Sequence, residues 1–263
     1  MNDAPHSGRF AVAIAAALLS FISPRAQNAP PLKVMISPGF TAAYEKLVPE
    51  FERKTGHSVS TVYGASMGDA PTAILNRLQN GEAADVVILA GSSLEELVKK
   101  NRVIPGTRVD LARAGIAMAV RAGAQKPDIS TLDALRRALL AATSIAYSDS
   151  VSGVYISTVL FPRVGIADTI RSKCIKVDGL VGSAIARGDA EIGFQQLSEL
   201  LPVAGIDIVG PLPPEAQKIT MFSGGVATNS EHPETAKEFL RFLASPEAAA
   251  TIKNSGMEPV PTF

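Results

Sequence analysis

Cysteine, tryptophan and histidine are almost missing from this chain: one, none and three in 263 residues. Cys174 on its own cannot form a disulfide within the chain, and no cysteine cluster exists to hold a metal. His6 sits in an N-terminal leader described below. His57, in Thr55-Gly-His-Ser58, and His232, in Ser230-Glu-His-Pro233, fall at turn signals and read as exposed turn residues. A histidine metal site or a catalytic triad has almost nothing to be built from. Charge of one sign is missing too: 25 basic residues balance 25 acidic ones, and no basic block breaks the balance. The electrostatic footprint of a nucleic-acid binder is therefore absent, and no nucleic-acid partner is expected. Nothing in the sequence indicates a cofactor, and no repeat or low-complexity segment follows the leader.

The long apolar run that does exist comes first. Arg9 precedes Phe10-Ala-Val-Ala-Ile-Ala-Ala-Ala-Leu-Leu-Ser-Phe-Ile22, shorter than the ~20 apolar residues a membrane span needs. It has the length of a signal-peptide core, and Ala26 in Ser23-Pro-Arg-Ala26 is a small residue suited to precede the cut. Residues 1–26 are read as a cleaved signal peptide and the mature chain as periplasmic, with no membrane span. Losing Asp3, Arg9 and Arg25 leaves 23 basic against 24 acidic residues.

From Leu32 onward, apolar runs alternate with amphipathic segments. Leu32–Ile36, Ser58–Tyr63 and Asp85–Leu89 read as strands, the last apolar enough to be buried on both faces. Helices fit Thr41–Thr55, a segment capped by Asp69 with Pro71 in its first turn, and Ser92–Lys100. Pro49 is expected to bend the first of these or shift its start. This β-α-β-α-β-α order argues for a doubly wound α/β lobe. Gly115–Val120 reads as a strand leading away from it. A second unit follows, with helices over 131–141, 153–164, 168–173, 181–188 and 197–201 and strands over 144–147 and 191–194. Strands over 219–222 and 225–228 return to the first lobe, and helices over 233–243 and 246–255 close the chain. The expected domains are lobe I, 31–112 plus 220–263, and lobe II, 113–219, joined by a hinge.

Three loops of small residues stand between strand and helix: Ser37-Pro-Gly-Phe40, Ala65-Ser-Met-Gly68 and Ser150-Val-Ser-Gly153. Small residues let a backbone approach a ligand closely, and the following helix directs free N–H groups at it. If the lobes face one another, the three loops converge on one cleft: an anion site that needs no net positive charge.

Along nearly its whole length the mature chain resembles the periplasmic molybdate-binding proteins. The match is carried by Pro49-Glu-Phe-Glu-Arg-Lys-Thr-Gly56, by Tyr63-Gly-Ala-Ser-Met-Gly68, by Gly81-Glu-Ala-Ala-Asp-Val-Val-Ile-Leu-Ala90 and by Val151-Ser-Gly-Val-Tyr155. The resemblance implies a two-lobed periplasmic binding protein of type 2 topology, monomeric, closing on a small anion. Carried over residue by residue, the first-loop serine of the family falls on Gly39, which has no hydroxyl. Ser37 lies in that loop, and the second-loop serine is kept as Ser66. The third-loop position falls near Ser152, beside Gly153, and a backbone-donating position falls near Leu180. The family's tyrosine falls near Gln196, next to Gln195. Exchanging these groups suits a planar carboxylate better than a compact tetrahedral oxyanion. One branch of the family, the aconitate isomerases, transforms such a ligand. For that chemistry Tyr155 and Asp149 are the expected proton-transfer candidates. Two readings stay open: an isomerase acting on an organic polycarboxylate, and a non-enzymatic carrier handing molybdate or another oxyanion to an ABC permease.

Overall fold

The computed structural model of the chain describes residues 30–68 and 70–260. The leader, residues 1–26, and Asp69, expected to cap the second helix, lie outside them.

In chain order the first half comprises β1 (Leu32–Ile36), α1 (Pro38–Thr55), β2 (Val59–Tyr63), α2 (Ile74–Gln79), β3 (Val86–Ala90), α3 (Gly91–Lys99), β4 (Val109–Ala114), β5 (Ile116–Arg121), α4 (Leu132–Ala141) and β6 (Ile145–Ser148). Then come α5 (Val151–Tyr155), a π turn over Ile156–Leu160, α6 (Phe161–Arg163), α7 (Ala167–Ile170), β7 (Cys174–Val177), α8 (Val181–Arg187), β8 (Ile192–Gln196) and α9 (Leu197–Leu200). The chain closes with β9 (Ile206–Pro211), β10 (Thr220–Val226), α10 (Pro233–Leu243), α11 (Pro246–Asn254) and β11 (Glu258–Pro259).

The strands form two sheets, ordered β2-β1-β3-β10-β4-β11 and β7-β6-β8-β5-β9. In each, three strands run parallel and a fourth enters antiparallel beside the third: β10 against β3, and β5 against β8. The two sheets thus repeat one topology, although the sequence shows no repeat. Both sheets are covered on both faces by apolar clusters. β3 is buried at every residue, which accounts for its unbroken run of apolar side chains. On one face of the first sheet, Phe40, Tyr44, Leu47 and Phe51 recur at helical spacing along α1 and pack against α10, with the Phe51 and Phe239 rings 4.8 Å apart.

Pro49 neither breaks nor delays α1, which begins at Pro38, earlier than expected. Pro49 lies on the exposed side of the helix, and Glu45, whose carbonyl it leaves without an intrahelical donor, is also exposed, so water can satisfy that carbonyl. The second helix starts at Ile74, later than the Asp69 cap implied, because residues 70–73 form a turn in which the Ala73 N–H reaches the Ala70 carbonyl. Helix 151–163 is continuous but carries a π turn, and the two expected strands over 219–228 are one strand, β10.

The chain passes between sheets twice, from β4 to β5 through Gly115 and from β9 to β10 through residues 212–219. Gln217 braces the two crossings: its Oε1 accepts from Ile116 N at 2.8 Å and its Nε2 donates to Ile116 O at 3.0 Å. The architecture is that of two α/β lobes joined by two strands, with the carboxyl ends of β1, β6 and β8 facing one crevice.

Candidate functional site

That crevice holds a cavity of about 320 Å³. The first lobe contributes Ser37, Pro38 and Gly39 from the β1–α1 turn, Tyr63 to Ser66 after β2, Thr72, and Phe222 from β10. The second contributes Ser148 to Val151 from the β6–α5 turn, Asp178 to Leu180 before α8, and Gln195, Gln196 and Glu199 at the end of β8 and in α9. Ligand crevices of doubly wound sheets lie at the carboxyl ends of strands, and this one obeys the rule.

Each wall has a local cause. Ser37 occupies the cap position of α1 in extended conformation, with Pro38 as the first helical residue, so the turn opens the helix at the cavity. Its hydroxyl is buried and has no hydrogen-bond partner among the described residues. Gly39 packs against Phe222 so closely that a Cβ there would lie 2.0 Å from the ring, which would have to move to admit one. Ser66 lies on the cavity and its Oγ accepts from Ala90 N at 3.1 Å. In the second lobe a file of hydroxyls runs inward, Ser148 to Ser150 at 2.7 Å and Ser150 to Ser152 at 3.0 Å.

Several expected site residues do not reach the cavity wall. Ser152 is fully buried beneath Ser150. Gly153 packs under the turn, where a Cβ would meet the Ser148 carbonyl at 1.7 Å, so its role is to let the turn close. Tyr155 points away, into the core of the second lobe, and its phenol donates to the Ala216 carbonyl at 3.0 Å. Asp149 does line the cavity, but its carboxylate is exposed and pairs with Lys176 at 2.9 Å. Neither of the two expected proton-transfer candidates is a buried group facing the ligand space.

A residue absent from those expectations fills that place. Glu199, third residue of α9, is 5% exposed and lies on the cavity. Burial pushes its carboxyl up to about 7, against the opposing effect of hydrogen bonds from the Gln196 N–H and the Gln195 side chain. The contact to the cap residue's N–H is one half of a capping box. Glu199 Oε2 has no partner among the described residues, and neither has Gln196 Oε1, whose carboxamide donates through Nε2 to Thr220 Oγ1 at 2.9 Å. Because the Thr220 hydroxyl donates or accepts, Gln196 is able to present either end of its amide to a ligand. Three residues that line this cavity, Ser37, Gln196 and Glu199, thus each carry a buried oxygen without a partner among the described residues. Buried polar groups are normally satisfied, so the constellation points to a polar ligand.

Among the described residues no lysine, arginine or histidine lines the cavity. The polar groups this cavity offers a ligand are hydroxyls, amides and the first-turn N–H groups of α1 and of the helix that starts at Val151. His57 and His232, expected to be exposed, are half-buried and share a separate cavity of about 40 Å³ with Pro30, Leu32 and Thr235.

A two-lobed scaffold with one crevice of this kind defines a binding-protein architecture. The family of bacterial extracellular solute-binding proteins matches residues 32–258, and this chain belongs to it. A Pseudomonas protein named aconitate isomerase is 48% identical over 237 residues, 90% of each chain. The molybdate-binding protein ModA of Azotobacter vinelandii is 23% identical over 257 residues, 94% of this chain and 96% of that one. Among solved structures, the periplasmic molybdate-binding protein of Azotobacter vinelandii matches with a TM-score of 0.71 over 88% of this chain and all of that one, at 23% identity. A periplasmic thiamin binding protein matches with a TM-score of 0.67 at 18% identity, over 89% of this chain and 84% of that one. At these identities the structural likeness is one of fold.

Proposed function

We propose that this chain is an exported protein that closes its two lobes on a small organic polycarboxylate and interconverts cis- and trans-aconitate, with Glu199 as the general base. The observation that carries the reading is the Glu199 carboxyl: buried, pushed up to about 7 by that burial, carried by a residue that lines the cavity, and with one oxygen lacking a partner among the described residues. A base poised near the operating pH is what proton abstraction requires. The identity to a protein named aconitate isomerase supplies the substrate class, and the extracellular family supports export of the chain after removal of residues 1–26.

The reaction is an allylic proton shift. Glu199 carboxylate takes a proton from the substrate methylene, and the C–H electron pair spreads over the allylic system and its carboxylates. The proton returns at the far carbon, which moves the double bond and regenerates the Glu199 carboxylate. No electrons enter or leave. The serine hydroxyls and helix N–H groups hold the charge that develops on the carboxylates. The ligand is a polyanion, and transfer of its proton to Glu199 neutralises the nearest like charge while the substrate becomes more negative.

A carrier of molybdate is a poorer fit to this cavity, because Phe222 packs against Gly39, where the resembled family has a serine. The deciding experiment incubates the purified protein, without added metal or nucleotide, with trans-aconitate and follows the formation of cis-aconitate by absorbance. A thermal-shift series against both aconitates, citrate, sulfate and molybdate runs beside it. Turnover with stabilisation by aconitate is the expected result. Tight molybdate binding with no aconitate turnover returns the chain to the carrier class.

A further inference from the structure

Gln195 is 2% exposed and stands between two groups of the site. The Val181 N–H, at the first position of α8, donates to its Oε1 at 2.9 Å. A backbone N–H can only donate, so the amide end facing Val181 is the oxygen. The other end is therefore NH₂, which can only donate, and beside the Glu199 carboxyl on the same cavity wall it favours the ionised form. Gln195 has a single working orientation, unlike Gln196, whose hydroxyl partner allows both. We propose that Gln195 is a positioning residue for Glu199: anchored by the Val181 N–H, it fixes the carboxyl at the cavity wall and favours its ionised form. This rests on the reading of Glu199 as the base and deepens it.

The surroundings leave this contact few competitors. The other titratable groups on the cavity are Asp149, Asp178 and Tyr63, and Asp149 is paired with Lys176. Of the elements packed against α9, β8 carries no charge, while β5 and α8 carry Arg121 and Arg187 at their ends remote from the cavity. The charges of α1, from Glu45 to Lys54, lie beyond its second turn. After burial, the influences on Glu199 are the Gln196 N–H and the Gln195 side chain. The cap N–H belongs to the backbone and cannot be removed by substitution, so Gln195 is the side chain through which the carboxyl is tuned.

Two variants separate positioning from mere support of α8. Gln195→Glu keeps an acceptor for the Val181 N–H but replaces the donor to Glu199 by an acceptor. Gln195→Met removes both contacts at similar volume. The primary readout is the titration midpoint of the Glu199 carboxyl in ligand-free protein, followed by carbon-13 NMR. It is expected to rise by about one pH unit in Gln195→Met and further in Gln195→Glu, since a donor to the charged form is lost. The acid limb of kcat/KM for aconitate should move with it, so that turnover lost at pH 7 returns at higher pH. An unchanged midpoint in both variants overturns the proposal and leaves Gln195 a prop for α8. A shifted midpoint in a protein that turns over no aconitate sustains the proposal and refutes the isomerase reading instead, because the titration is read without substrate.

Discussion

The Ser198 hydroxyl donates to the Gly39 carbonyl at 2.7 Å, joining the helix that carries Glu199 to the turn that opens α1. Both residues are buried, and they come from opposite lobes. Glu199 and the first-lobe turn at Gly39 are thereby held at a set separation. Removing a buried hydrogen bond and leaving its acceptor unsatisfied costs about 1–3 kcal/mol. Ser198→Ala is expected to lower kcat/KM for aconitate by about 5- to 160-fold, while each lobe retains its own core. Steady-state kinetics beside circular dichroism checks this; wild-type kcat/KM in the variant refutes a working link between Ser198 and Gly39.

Glu199→Gln removes the base and keeps the shape of the side chain. Turnover is expected to fall by about 10²–10⁴-fold, the usual contribution of a positioned base. Aconitate binding, measured by calorimetry, should be retained or strengthened, because a like charge leaves the cavity.

The same carboxyl gives the ligand-free protein a pH signature. Its folded value of about 7 lies above its ordinary 4.5, so between these values the folded state binds more protons than the unfolded one. Stability contributed by this group is therefore fully present below about pH 4.5, declines as pH rises through 7, and is level above. The change is on the order of 2–3 kcal/mol. Urea unfolding of wild type and Glu199→Gln at pH 5 and pH 8 isolates it: the variant should gain on the wild type at the higher pH. A constant difference between the two proteins would show that Glu199 does not titrate in this range.

Tyr155→Phe carries the opposite expectation to that of a proton-transfer residue. Its phenol serves the Ala216 carbonyl and not the cavity. Loss of that hydrogen bond should cost about 1 kcal/mol of stability, with kcat changed less than about threefold. A fall of a hundredfold would restore Tyr155 to the chemistry.

Restoring the family serine at Gly39 should not create a molybdate site. The new Cβ meets Phe222 at 2.0 Å, so Gly39→Ser is expected to weaken closure and lower aconitate affinity by at least about tenfold. Adding Phe222→Ala should recover part of the loss by clearing the niche. Ligand titration of the single and double variants decides this; molybdate binding by the single variant refutes it.

Much of the scaffold is legible in the order of the amino acids. Periodicity alone locates β1, α1, β3 and the alternation that makes a doubly wound lobe, because side-chain period and burial are local properties of a segment. Small residues after β1, after β2 and after β6 mark three turns of the cavity, and Ser37, Gly39, Ser66, Leu180, Gln195 and Gln196 do line it. Short strands such as β7 and β9 escape such a reading, since four to six half-buried residues carry little periodic signal.

What the tertiary structure decided was direction and exposure within those turns. Tyr155 and Ser152 sit in the sequence where a cleft helix begins, yet the turn of the helix sends the phenol to Ala216 and the hydroxyl beneath Ser150. Glu199 reads as an ordinary helix glutamate. Only the approach of α1 to α9 and the end of β8 removes it from water, and desolvation is a property of everything packed around a group. Sequence thus determined which backbone turns exist, because turn geometry depends on a few adjacent residues. The fold determined which carboxyl is pushed up toward neutral pH, because burial is assembled from both lobes at once.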